Sequence, residues 1–195
     1  MPAWDRLESQ IRLFKSFEEF TDHSFVHSVN VYDNKSFKDH SDAFVSYIEK
    51  VDYEYPWNYT RGDFPNAWEG MNEMWSSVLD DDSCEYVLKI DSDVEFTRPW
   101  IEHVFDVISK EEIGSVRYGT RKSGDGFFDL SINSNGTSGG LKCFKKHLFE
   151  PIEARKDGYR FFGSEGLSTK ILKKGYRTVA IETGINITDL RYVRS

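Results

Sequence analysis

Tyr86-Val87-Leu88-Lys89-Ile90-Asp91-Ser92-Asp93 runs a short apolar segment directly into two carboxylates separated by one small residue. A run of this length, bounded on its other side by the polar turn Asp80-Asp81-Asp82-Ser83, reads as a buried strand. In open α/β sheets ligands collect at the carboxyl ends of strands. Two ionised carboxylates held there repel each other unless a cation lies between them. A hard divalent ion with oxygen ligands, Mg²⁺ or Mn²⁺, resolves the repulsion and keeps coordination positions open for a diphosphate. Taken alone, an Asp-x-Asp pair is more often a solvated turn than a metal site, and its position after an apolar strand is what favours the cation. A calcium loop over 91–102 fails, because Phe96 stands where the turn needs Gly and Arg98 where it needs an apolar residue. The Asp80 to Asp82 run precedes the strand, at the wrong sheet edge, and reads as a solvated turn.

Outward from this strand, helical and strand-like segments alternate. Trp4, Leu7, Ile11, Leu13, Phe14 and Phe17 recur at helical spacing. Residues 25–32 alternate as a strand that ends in a turn at Asp33-Asn34, and a helix over 41–51 follows. Residues 52–66 read as an aromatic, turn-rich loop and 67–79 as a helix. Beyond the motif, a helix over 99–109 precedes a strand at 113–118. The Gly- and Ser-rich stretch 122–140 reads as a loop around short strands, able to act as a lid. A short helix begins near Lys145, another spans 165–174 and stops at Gly175, and 178–181 is a last strand. The order predicts one α/β domain over 1–195 with a mixed central sheet flanked by helices, largely parallel in its first half.

The bulk numbers agree with a folded domain. The chain has 195 residues, enough to bury a core, and 38% are hydrophobic. The 33 acidic residues outnumber the 25 basic ones, which argues against nucleic-acid binding and suits capture of an anionic ligand through a cation. Cys84 and Cys143 lie in no metal-ligand spacing and read as buried free thiols. No apolar run approaches transmembrane length, and the opening Met1-Pro2-Ala3-Trp4-Asp5-Arg6 carries no secretion signal, so the expectation is a cytoplasmic protein without a membrane span.

Several motifs in order resemble the GT-A glycosyltransferases, in particular the inverting family-2-like enzymes. The segment carrying Asn72, followed by the polar turn and the strand into Asp91-Ser92-Asp93, is similar to their metal-motif region. Gly139-Gly140 before Lys142, Lys145 and Lys146, then Ser164-Glu165-Gly166 and Lys173-Lys174-Gly175-Tyr176, is similar to their later signature. The resemblance spans most of the chain and implies a GT-A, Rossmann-like nucleotide-binding fold. It also implies transfer of a sugar, with inversion, from a nucleotide-diphosphate donor, a UDP-sugar foremost, to a carbohydrate or other hydroxyl acceptor. A retaining enzyme, or a domain that binds nucleotide sugar or glycan without turnover, stands as the alternative.

Carried over residue by residue, the resemblance implies that Asp93 binds Mn²⁺ or Mg²⁺ directly. Asp91 contacts the ribose or reaches the metal through water, and Asp33 recognises the nucleobase. Glu165 is implied as the base that deprotonates the acceptor, and Asp189 as a third metal ligand. Each has a plainer reading: Asp33 as a turn Asp, Glu165 as a helix N-terminal Glu, Asp189 as a surface residue. Tyr159, Phe161 and Phe162 read as core or as an acceptor platform. Two features depart from the family. Its usual Glu-Asp pair is Ser164-Glu165 here, and its usual first strand is missing ahead of the first helix.

Overall fold

The computed structural model describes residues 7–34, 36–63, 73–76, 78–92, 94–118, 127–129, 140–149, 170–181 and 185–187. Helix α1 (Leu7–Phe20) presents Phe14 and Phe17 at the spacing the sequence predicts. A single 3₁₀ turn (His23–Phe25), capped by the Asp22 carboxylate on the Ser24 N–H at 2.9 Å, separates it from strand β1 (Val29–Asn34). Helix α2 (Lys38–Ile48) then leads to β2 (Trp57–Gly62), and β1 and β2 pair in parallel. Two expectations are corrected here. Asp33 and Asn34 belong to the strand rather than to a turn, and the aromatic stretch read as a loop contains β2. The β2 residues Tyr59 and Trp57 pack on the Phe14, Phe44 and Ile48 cluster, so the aromatic side chains that suggested a loop serve as strand-to-helix packing.

The main sheet has the order β3-β7-β5-β8-β6. Strands β3 (Tyr86–Ile90), β5 (Ile113–Tyr118) and β8 (Arg177–Ile181) lie close to their expected positions. Strand β6 (Phe127–Asp129) pairs with the far edge of β8, and helix α3 (Ile101–Ile108) covers the sheet. Strand β7 (Leu141–Lys145), where the sequence predicts only a short helix beginning near Lys145, inserts antiparallel between β3 and β5. Its residues are buried on both faces, so no alternation signals it. The sheet is therefore mixed: β5 and β8 are parallel, whereas β3 and β5 each run antiparallel to β7. A third pairing joins β4 (Val94–Phe96) to β9 (Ile185–Ile187), also antiparallel.

One face of the main sheet carries the large core. Leu88 and Ile90 of β3, Leu141 and Cys143 of β7 and Val179 of β8 meet Val104, Val107 and Ile108 of α3 there. The opposite face carries a smaller cluster of Trp75, Val87, Phe144, Leu148 and Ile171. Helix α1 is clamped onto β4: the Phe96 N–H donates to Ser16 Oγ at 3.0 Å, Trp100 Nε1 donates to Thr21 Oγ1 at 3.0 Å, and the Phe96 and Trp100 rings stack at 4.3 Å. Cys143 is fully buried and burial pushes its thiol up, while Cys84 is only half-buried; both are free. Among the described residues no helix is long and apolar enough to cross a membrane.

Two glycines have specific work. Gly175 sits at φ +86°, its N–H bonded to Leu172 O at 3.0 Å and the Tyr176 N–H to Ile171 O at 3.3 Å. That is the Schellman pattern, and it ends the helical turn at 170–173 where Gly175 predicts. Gly114 lies at a register shift in β5, and a Cβ there would stand 2.6 Å from Ile171 Cγ2 and 2.7 Å from Tyr176 Cβ. Gly114→Ala is expected to cost about 1–3 kcal/mol by overpacking, read as a fall in the urea midpoint at unchanged m-value.

Candidate functional site

The site is built at the end of β3. Because successive strand residues face opposite ways, Lys89 and Asp91 share the face on which Val87 also lies. The Lys89 ammonium donates to Asp91 Oδ1, with side chains only 10% and 12% exposed. The Asp91 N–H extends the ladder by one bond, to Gly140 O at 2.7 Å, and the Val94 N–H donates to Asp91 O at 3.2 Å. The first bond ties the motif to Gly140, just ahead of β7. The second closes a tight turn that returns the chain into β4. Asp91 and Ser92 are buried, at 8% and 9% exposure, and Ser92 Oγ has no hydrogen-bond partner.

A row of cations crosses the sheet from Lys89. It stands opposite Lys142 in the β3–β7 register, and Lys142 stands opposite Arg117 in the β7–β5 register. Lys142 and Arg117 are both 6% exposed and engaged with partners of their own. Like charges directly opposite each other are unfavourable unless anions lie among them. Asp91 supplies one such anion at the row's end. Sequence reading named Asp91 and missed Lys89; the signal was a Lys two residues before it, on the same strand face.

Asp33 is the next-to-last residue of β1 and is 2% exposed. Its Oδ1 accepts from the Ser36 N–H at 3.2 Å, and its Oδ2 from Ser41 Oγ and Tyr59 Oη, both at 2.5 Å. The carboxylate thus pins the β1–α2 connection to β2, and Arg61 adds a bond to Ser36 O at 2.6 Å. Burial, then the bond to Asp33, pushes the Tyr59 phenol from 10.0 up to about 12. Below pH 10 folded and unfolded chains both keep this proton, and between pH 10 and about 12 only the folded chain does, so this contribution to stability is lost as pH rises. Tyr59→Phe is expected to lose that component, seen as a smaller difference in urea midpoint between pH 9.5 and 11.5 than in the parent. Tyr53 and Tyr55, raised by burial as well, remain common to both proteins.

Asp93, Glu165 and Asp189 lie outside the described residues, as do Tyr159, Phe161 and Phe162. The pairing of β4 with β9 nonetheless sets Ile187 opposite Val94, the residue after Asp93, and Asp189 follows Ile187 by two. Elsewhere, His27, Asp81 and Cys84 offer ligand atoms within 4.8 Å of one another. Asp81 there accepts from the Ser83 N–H at 3.0 Å and from Ser83 Oγ, and lies 3.1 Å from His27 Nε2. These contacts hold the turn before β3, as the sequence reading expects.

The Asp91 site fits a hard divalent cation. Among the described residues its carboxylate has one partner, Lys89, on Oδ1 alone, which leaves Oδ2 able to take another ligand.

No protein-family model matches the chain, and no curated protein matches it in sequence. Solved structures do. One is the mannosyltransferase PcManGT from Pyrobaculum calidifontis in complex with GDP-Man and Mn²⁺, with a TM-score of 0.71 at 15% identity over 93% of this chain. Another is GalNAc-T7 with UDP, GalNAc and Mn²⁺, with a TM-score of 0.66 at 13% identity over 89% of this chain. This chain spans 53% and 39% of their lengths. The architecture built around Asp91 is therefore the GT-A fold of these glycosyltransferases.

Proposed function

We propose that the chain is a metal-dependent glycosyltransferase that moves a sugar from a nucleotide-diphosphate donor, a UDP-sugar foremost, to a hydroxyl acceptor with inversion. The observation that carries the reading is Asp91, a buried carboxylate delivered by β3 to the ligand edge of the sheet and followed two residues on in sequence by Asp93. Both structural neighbours were solved with Mn²⁺ and a nucleotide, which supports the same site here.

Asp93 and Asp91 would hold Mn²⁺ or Mg²⁺, with Asp189 as third ligand, supported by the β4–β9 register. The bound cation would neutralise the diphosphate and stabilise the charge of the leaving group as a Lewis acid. Lys89 donates to Asp91 and, with Lys142 and Arg117 in register across β7 and β5, brings cationic side chains to the strand face that carries Asp91, which supports binding of a phosphate-bearing ligand there. Asp33 has three of about four carboxylate acceptor directions filled, and the remaining one serves the nucleobase. Glu165 takes the proton of the acceptor hydroxyl as that oxygen attacks the anomeric carbon.

Lys89 makes a sharp test of this arrangement. Lys89→Met leaves Asp91 without its counter-ion, so Mn²⁺ should bind roughly tenfold more tightly in the absence of nucleotide, about 1.4 kcal/mol, while the metal-free protein becomes less stable. Calorimetric titration with Mn²⁺ alone measures it. Unchanged or weaker Mn²⁺ binding would show that the cation does not use Asp91.

A further inference from the structure

His27, Asp81 and Cys84 meet ahead of β3, at the other end of that strand from Asp91. His27 stands just before β1, whereas Asp81 and Cys84 lie in the turn before β3, so the fold joins two segments far apart in sequence. Asp81 Oδ2 is their common point. His27 Nε2 lies 3.1 Å from it and Cys84 Sγ 3.9 Å, and one ligand atom of each residue falls within 4.8 Å of the others. Around a tetrahedral zinc ion, with bonds of roughly 2.0–2.3 Å, such ligand atoms stand about 3.3–3.6 Å apart. His27, whose side chain is 52% exposed, has the freedom to close the difference.

A histidine–carboxylate pair accounts for two of the three groups without any ion. The thiol needs a further reason. Cys84 Sγ points at a carboxylate oxygen, and burial, then the Asp81 charge, pushes this thiol up. Asp81 is held in the opposite state. The Ser83 hydroxyl and the Ser83 N–H, the latter at 3.0 Å, both donate to Oδ1 and keep the carboxyl below its usual range. Those bonds occupy Oδ1 and turn Oδ2 toward His27 and Cys84, as outer-shell partners orient a metal-binding carboxylate. Lys146 does not neutralise this corner directly, because its ammonium donates to the Asp81 carbonyl at 2.5 Å and lies 3.7 Å from Asp82.

We infer that His27 Nε2, Asp81 Oδ2 and Cys84 Sγ form a zinc site, with water in the fourth position, that clips the lead-in of β1 onto the lead-in of β3. The donor set selects the metal. Nitrogen, oxygen and sulfur together suit Zn²⁺, whereas Asp91 and Asp93 offer oxygen alone and suit Mn²⁺ or Mg²⁺. On binding, Cys84 gives its proton to solvent and its sulfur holds the ion as a thiolate. Strand β1 belongs to the two-stranded sheet and β3 to the main sheet, and among the described residues the two sheets have no strand pairing in common. The ion therefore fastens two sheets together, and closing so long a stretch of chain also restricts the unfolded state. Sequence spacing hides the site, since only Asp81 and Cys84 are close neighbours and His27 arrives through the fold. The clip stands whether or not the chain transfers sugar.

The test titrates the reduced, metal-free full chain with Co²⁺, which occupies zinc sites and reports its ligands by absorption. One equivalent should give a near-ultraviolet thiolate-to-cobalt band with tetrahedral absorption in the visible. Zn²⁺ should abolish both, and Mg²⁺ in large excess should abolish neither. Cys84→Ser should remove the thiolate band, which the fully buried Cys143 is not placed to supply. His27→Ala, at an exposed side chain, should weaken Zn²⁺ at least about tenfold, since outer-shell partners alone are worth about 10–100-fold. Asp93→Ala should leave the colour unchanged, which separates this ion from the one proposed for the nucleotide. No thiolate band at one equivalent, or a band that survives Cys84→Ser, overturns the inference. Loss of the colour in Asp93→Ala overturns it too, because the ion would then sit at the diphosphate site. Should Cys84→Ser fold poorly, His27→Ala decides alone, and unchanged Zn²⁺ affinity there would leave only a histidine–carboxylate pair.

Discussion

Asp91→Ala is expected to lose metal-dependent nucleotide binding and to unfold on the order of 10 °C below the parent. Two separate causes combine. The first is the loss of a carboxylate at the proposed cation site, which removes the charge that offsets a diphosphate's partner ion. The second is electrostatic. Lys89 is 10% exposed and its ammonium is held by Asp91, so truncating Asp91 leaves a buried cation next to Lys142. Breaking a buried pair from one side costs about 3–5 kcal/mol, against roughly 2–4 °C per kcal/mol for a chain of this size. A double variant separates the causes. Lys89→Met with Asp91→Ala should recover most of the stability, because neither charge is then left alone, yet none of the metal-dependent binding. Recovery of both would mean that Asp91 acts on the nucleotide only through folding.

The second large effect falls on turnover. Glu165→Gln should lower kcat by about 10²–10⁴ and leave the nucleotide Kd within about twofold, because a general base acts on the acceptor proton and not on the donor's phosphates. Asp93→Ala should show the converse, with nucleotide binding that no longer responds to Mn²⁺. Taken together the two variants distinguish an enzyme from a domain that only binds nucleotide sugar. A binding domain loses function in Asp93→Ala and is unaffected by Glu165→Gln. A retaining enzyme would also tolerate Glu165→Gln better, and the anomeric configuration of the product, read by NMR, tells these cases apart.

Much of the frame was legible because its segments obey simple periods. Strands β3, β5 and β8 are short apolar runs bounded by turns, and α1 repeats its apolar residues at helical spacing. Gly175 marked a helix end that the positive φ and the two Schellman bonds bear out. What escaped was decided by tertiary contacts. β2 looked like a loop because its aromatic residues sit among turn formers, and only the parallel pairing with β1 reveals a strand. β7 escaped because burial on both faces erases alternation.

Within the site, the position of Asp91 was readable from the strand before it. Its pairing with Lys89 and its backbone bond to Gly140 were not, since the first depends on burial and the second on β7 lying beside β3. Asp33 was legible as a strand-end acid. Its role in pinning Tyr59, Ser41 and the Ser36 N–H needed the folded β1–α2–β2 unit.

The most direct measurement of the central claim is the melting temperature of the full chain with UDP or GDP, each with and without Mn²⁺. A ligand at a hundredfold excess over its Kd adds about 2.7 kcal/mol, which corresponds to a rise of roughly 5–10 °C for a domain of this size. The account predicts that rise for at least one of the two nucleotides only when Mn²⁺ is present, and its disappearance in Asp93→Ala. No rise with either nucleotide under any metal condition, or an equal rise with and without Mn²⁺, would contradict it.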